Sequence, residues 1–233
     1  MNSRSPDRRF TPAPPDAVAA PSTRVKVRRD TKRRGRYDTD AIHQILDATP
    51  FCHLAYIVDE HPVVIPTLQV RIDDHLYLHA SSGSRLGLHA GTPWPVSVSV
   101  TLYDGLVLAR SGFHHSINYR SVVVIGDAIL VSDPQEKLTA LNATVDHVVA
   151  GRANEVRPPT ARELEATAVA RLPLTEASAK MRTGPPVDEP DDISLDIWAG
   201  VIPLRTAYGD PIPSPDLPDG IDVPDSVSGM MEA

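Results

Sequence analysis

The residue pattern predicts a mainly β protein, a closed antiparallel sheet with a few peripheral helices. Three observations carry this. Short apolar runs recur at close spacing and are separated by turn residues such as Asp59-Glu60-His61-Pro62 and Asp73-Asp74. Residues 95–102 alternate strictly: Val96, Val98, Val100 and Leu102 face one way, Ser97, Ser99 and Thr101 the other. That period of two marks a half-buried strand. Helical patterns are few and do not alternate regularly with strands, which excludes a doubly wound parallel sheet. Closing the sheet on itself also removes its edges.

In chain order, the polar, proline-rich stretch 1–23 has no periodicity and reads as a disordered arm. A short helix is expected from Asp38 or Thr39, either of which can cap it, with Ile42, Ile45 and Leu46 on one face. Strands follow over 51–58, 63–72, 76–80 and 95–102, with Asp104-Gly105 read as a turn before a strand over 106–110. Another long strand covers 121–131. Pro134 opens a helix through Leu138, Leu141, Val145 and Val148, and a second helix is expected over 161–170. Strands resume over 175–182 and 193–204, and the Pro/Asp-rich tail 210–233 reads as extended. The ordered domain is thus expected over 24–209.

Hydrophobic residues make up 41% of the 233 positions, enough for one full core, and no run reaches the 18 or so apolar residues of a membrane span. The first 20 residues lack the apolar stretch of a signal peptide, so a cytoplasmic location is expected. The lone cysteine, Cys52, excludes an intramolecular disulfide and a Cys-based zinc or iron–sulfur site. The net charge of −7 disfavours nucleic acid, although basic residues crowd positions 24–36. That arm also lacks interleaved aromatics beyond Tyr37. Hydrolase signatures are missing: there is no G-x-S-x-G and no H-E-x-x-H. Cys52 and His53 are adjacent in a strand, so they point to opposite faces and cannot form a nucleophile–base pair.

Two segments carry the chemistry of a phosphate site. The run His79-Ala80-Ser81-Ser82-Gly83-Ser84-Arg85 offers hydroxyls, backbone N–H groups and a guanidinium after a strand. The run Phe113-His114-His115-Ser116-Ile117-Asn118-Tyr119-Arg120-Ser121 sets Arg120 and Ser121 at a strand start, with Asn118 and Tyr119 able to contact a ring system. The expectation is that both stretches neutralise one dianionic headgroup together.

The second run, together with Arg34-Gly35-Arg36-Tyr37-Asp38, Ile65-Pro66-Thr67, Leu76 to Ser81 and Asp104 to Ser111, resembles the pyridoxamine 5′-phosphate oxidase-related FMN-binding proteins. The resemblance is to the branch that includes nitroimidazole-resistance-type proteins. The resemblance implies a six-stranded, Greek-key split β-barrel, a homodimer with FMN in a cleft between subunits, and Ser81, Ser84 and Arg85 near the phosphate. Where the oxidase pattern ends in Arg-Lys, Arg85 is followed by Leu86, leaving Arg120 as a substitute cation. Pro66 and Thr67 would offer backbone groups to the flavin ring, His79 and His115 lie in the matched runs, and Trp198 would touch the ring from the second subunit. Arg205 is the one cation after Trp198, so the oxidase's substrate-phosphate pattern is not reproduced.

The implied function is a flavin-dependent oxidoreductase passing electrons from a reduced nicotinamide or another donor to a small acceptor. With no G-x-G-x-x-G after a strand, a nicotinamide would bind only transiently. Arg120, His114 and His115 are candidates to stabilise a reduced flavin. Two alternatives stand beside this: a flavin or haem carrier or sensor, with His53, His79, His114 or His115 as axial ligand, and a deazaflavin-dependent reductase. No other metal site is expected.

Overall fold

The computed structural model describes residues 18–28, 34–88 and 93–231. In chain order the elements are β1 (Gly35–Arg36), α1 (Thr39–Leu46), β2 (Phe51–Val58), β3 (His61–Ile72), β4 (His75–Ser81), α2 (Arg85–Leu88), β5 (Trp94–Leu108), β6 (Ser116–Leu130), α3 (Pro134–Val148), α4 (Ala161–Ala166), β7 (Thr167–Pro173), β8 (Ala177–Arg182), β9 (Gly200–Pro203) and α5 (Asp225–Met231).

Six strands close a ring in the order β2-β3-β4-β7-β6-β5 and back to β2, every neighbour antiparallel. The long β5–β6 ribbon overshoots this ring. Its far end is flanked by β9 on β5 and by β8 on β6, with β1 beyond β8. The ring is filled by one side of each strand: Val96, Val98 and Val100 of β5 are buried against Leu54, Leu76, Leu78, Val122, Val124 and Leu172. The alternation read from residues 95–102 therefore holds. Helix α1 covers one end of the ring with Ile42, Ile45 and Leu46, its start capped by the Asp38 carboxylate accepting from the Ala41 N–H at 2.9 Å. Buried Gln69 locks this end, its Nε2 donating to the carbonyls of Leu46 and Thr49, both at 2.7 Å. Helix α3 packs outside on Val70, Tyr77 and Val169. No helix is long and apolar enough to cross a membrane.

Four sequence expectations change. Asp104-Gly105 is a register shift within the single strand β5, not a turn. A Cβ on Gly105 would lie 3.0 Å from the Ile202 carbonyl oxygen, so glycine there lets β9 approach. The helix expected over 161–170 stops at Ala166, where its residues join β7, because Ala168, Val169 and Ala170 are buried in the ladder with β4. Tertiary pairing overrides the local helical pattern there. Of the strand expected over 193–204, residues 200–203 alone find a partner, on β5. The tail closes with α5, where the Ser226 hydroxyl donates to Glu155, so it is not extended throughout. The expected arm 1–23 lies outside the described residues up to 17; Val18, Ala19 and Pro21 line a hollow against α1.

Candidate functional site

The ladder between β3 and β4 ends at Gln69 opposite Leu78. Beyond that pair the strands part: β3 runs on with β2, while β4 runs on with β7. Between them opens a cleft of about 110 Å³, lined by Ile65 and Thr67 of β3, by Leu78, His79 and Ala80 of β4, by Ser84 and Arg85, and at its back by Tyr56 and Trp94. Those two rings pack 4.6 Å apart at their centroids. Parting the strands frees one backbone edge of β3 between residues 62 and 68, a row of unpaired N–H and C=O groups. The cleft is smaller than the roughly 300 Å³ or more typical of a full ligand pocket. Within one chain the cleft has room for only part of a large ligand.

The turn leading to α2 is preorganised. The Ser82 N–H donates to the Ala166 carbonyl at 2.8 Å, which pins the turn to the start of β7. The Ser84 N–H donates to the Ser81 carbonyl at 2.9 Å, and the Ser81 and Ser84 hydroxyl oxygens accept the N–H groups of Gly83 and Gly87, both at 3.4 Å. Gly87 was not apparent as a site residue in the sequence, yet a Cβ there would sit 2.1 Å from the Ser82 carbonyl oxygen. Arg85 makes no ion pair among the described residues.

His79 brings a buried polar atom to the cleft: its Nδ1 has no hydrogen-bond partner among the described residues. Burial pushes its imidazole below the ordinary 6.5, so it is neutral at pH 7. The folded pKa then lies below the unfolded one. As pH falls through about 6.5 the unfolded chain takes up this proton first, and stability declines. His79→Gln should flatten that decline in urea unfolding measured from pH ~5 to ~8.

Four expected residues, Thr67, His79, Ser84 and Arg85, thus meet in one cleft, with Ser81 in the adjoining turn. Pro66 falls on the opposite, exposed face of β3. The second expected segment does not join this cleft within one chain, and its groups are engaged elsewhere. Arg120 grips Asp104, with Nε 3.0 Å from Oδ2 and Nη2 2.7 Å from Oδ1, across the β5 irregularity. Buried Asn118 accepts from Arg182 and donates to the Gly184 carbonyl at 3.1 Å, and the Ser121 hydroxyl donates to the Lys180 carbonyl at 3.1 Å. These groups fasten β6 to β5, to β8 and to the loop after β8. Tyr119 is half-buried, and Trp198 is exposed at the β9 end of the ribbon. Arg120→Ala should therefore cost about 1 kcal/mol of stability and leave ligand affinity at the Arg85 cleft unchanged, measured by denaturation and titration together.

Cys52 is buried and its thiol is pushed up to about 12 by that burial, while His53 is exposed, so the two form no catalytic pair. No group of three or more metal-ligating side chains occurs among the described residues. Of the basic arm, Arg29, Lys32 and Arg33 lie outside the described residues, and Arg24 is paired with Glu176 at 2.7 Å.

A six-strand ring that splits to open a cleft beside a Ser/Arg turn agrees with sequence comparison. The family model for pyridoxamine 5′-phosphate oxidase matches residues 38–181, well over half of the chain. The chain belongs to the pyridoxamine 5′-phosphate oxidase family. The match covers all six ring strands and most of β8, and ends before β9. Among solved structures, this family member is 39% identical to the flavocytochrome Anf3 of Azotobacter vinelandii, with a TM-score of 0.85 over 91% of this chain and 99% of that one. It is 37% identical to the FAD and haem binding protein of Mycobacterium smegmatis, with a TM-score of 0.80 over 84% and 97% of the two chains. A structure described as a 5-nitroimidazole antibiotic resistance protein, from Bacteroides thetaiotaomicron, shares the fold at 19% identity and a TM-score of 0.51. No curated protein matched the chain significantly.

Proposed function

We propose that this chain is a redox protein binding a flavin at the β3–β4 cleft and a haem elsewhere on the same fold. The observation that carries the flavin half is the cleft itself. A free strand edge and a neutral, half-buried imidazole suit the polar edge of an isoalloxazine ring, and a guanidinium with no ion pair among the described residues, beside two seryl groups, suits its phosphate-bearing tail. The haem half is supported by two relatives of nearly full mutual coverage, one a flavocytochrome and one an FAD and haem binding protein. The second of these, the FAD and haem binding protein, favours FAD over the FMN that the family resemblance implied. The flavin supplies hydride and single-electron chemistry. The chain's own residues would hold it: Arg85 and Ser84 at the phosphate, Thr67 beside the ring, and His79 as a neutral hydrogen-bonding group shielded from water.

The incompleteness of the cleft within one chain supports a homodimer. The outer face of β2 and β3 exposes Ile57 (59%) and Val64 (60%) diagonally across the ladder and Phe51 (68%) further along the same face of β2, apolar surface of the kind that a partner covers. Val64→Glu should convert a dimer into a monomer in light scattering, and lower flavin occupancy with it.

The test is an absorbance spectrum of the purified full chain, with mass spectrometry of the small molecules it releases. The reading expects flavin bands, FAD in the extract and a Soret band. FMN alone with no Soret band would leave the flavoprotein and remove the flavocytochrome, whereas a colourless protein that takes up neither cofactor ends both.

A further inference from the structure

The histidines of this chain are not equivalent: in His61 and His115 the Nδ1–H donates to a backbone carbonyl while Nε2 has no partner among the described residues, and of these two His115 is the one beside the exposed apolar face of the β5–β6 ribbon. The Nε2 of His114 is engaged by Glu189 at 3.2 Å. His79 belongs to the cleft, and its Nδ1 has no partner among the described residues. His53 is exposed and makes no side-chain hydrogen bond among the described residues. The exposed His115 differs: its Nδ1–H donates to the Ser111 carbonyl at 3.0 Å. That bond fixes the tautomer and leaves the Nε2 lone pair directed away from the backbone, the arrangement by which proteins orient imidazole toward a metal.

A second, independent observation is the surface beside it. Leu106 of β5 stands opposite Ile117 of β6 and Ile202 of β9, so the three share one face of the ribbon, and all are exposed. Two residues further on, Leu108 pairs with Gly200 on the same face. The Trp198 indole lies there, because a Cβ on Gly200 would meet its Cζ2 and Cη2 at 2.9 Å. Trp198 is 67% exposed and Phe113, two residues before His115, is 90% exposed. His115 has extended backbone (φ −58°, ψ 145°) and directly precedes β6, so strand alternation puts its side chain on the side of Ile117. A flat apolar bed with one backbone-anchored imidazole at its rim matches a porphyrin in shape and chemistry.

We propose that His115 Nε2 is an axial ligand of the haem iron, with the macrocycle lying against the face formed by Leu106, Ile117, Ile202 and Trp198. The assignment rests on the flavin-and-haem reading above, and it gives Trp198 a role other than the flavin contact that family resemblance implied.

The experiment compares full-length wild type, His115→Ala and His115→Met, with His53→Ala and His114→Ala as controls, each reconstituted with hemin. It reads the Soret position, the haem-to-protein ratio and the flavin content. Loss of the Soret band in His115→Ala, with flavin content and melting temperature kept, is expected, as is its restoration by added imidazole. His115→Met should keep haem with a shifted band if sulfur replaces nitrogen at the iron, and both controls should match wild type. An unchanged Soret band in His115→Ala, or loss of the band in His53→Ala instead, would overturn the assignment while leaving the flavocytochrome reading intact. A wild type that holds flavin and refuses hemin would overturn both the assignment and the haem half of that reading.

Discussion

Arg85→Ala is expected to weaken flavin binding by about 10- to 150-fold, roughly 1.5–3 kcal/mol, with the melting temperature unchanged. Arg85 is exposed, starts α2 and makes no ion pair among the described residues, so its removal leaves no carboxylate stranded. This separates it from Arg120, whose guanidinium is spent on Asp104. A fluorescence titration of the two variants in parallel should show loss of affinity in Arg85→Ala alone. Equal losses would mean that the ligand reaches the ribbon end, and that the β3–β4 cleft is not its anchor.

Gly87→Ala should have the larger effect. The new methyl would stand 2.1 Å from the Ser82 carbonyl oxygen, 2.6 Å from its carbon and 2.7 Å from its Cα. These are backbone atoms, and the Ser82 N–H is tied to Ala166, so nothing flexible can yield. Either α2 lifts or the turn detaches from β7, and Ser84 and Arg85 move together. The expected cost is about 1–3 kcal/mol in chemical denaturation. Flavin affinity should fall below that of Arg85→Ala, since positioning is lost as well as charge. Gly83→Ala is the control: its Cβ would meet only Ser81 Oγ, at 3.9 Å, and should change neither quantity.

Much of this architecture was legible in the sequence, and the places where it was not have physical causes. The 95–102 strand was readable because one of its faces is core and the other is not. Helix α1 was readable because a capping aspartate precedes a clean apolar stripe. The 161–170 segment misled because its first turn carries a true capping box, Thr160 with Glu163, while the pairing partner that converts its end to strand lies some 90 residues earlier in β4. The 81–85 turn was recognisable from its residue types. The 118–121 segment also offers a guanidinium and a hydroxyl, but within one chain its Asn118, Arg120 and Ser121 are engaged by Arg182, Asp104 and Lys180, partners that only the fold reveals. Gly87 carried no signal in the sequence, because its importance is a close approach of backbone to backbone.

The central claim is that the Ser84–Arg85 end of the β3–β4 cleft receives a flavin phosphate. Its most direct test is the difference in affinity between FMN and riboflavin, which differ by that phosphate alone, in wild type and in Arg85→Ala. The account predicts that wild type prefers FMN by at least about 10-fold and that the preference largely disappears in the variant. Equal affinity of wild type for the two flavins, or a preference that survives in Arg85→Ala, would contradict it.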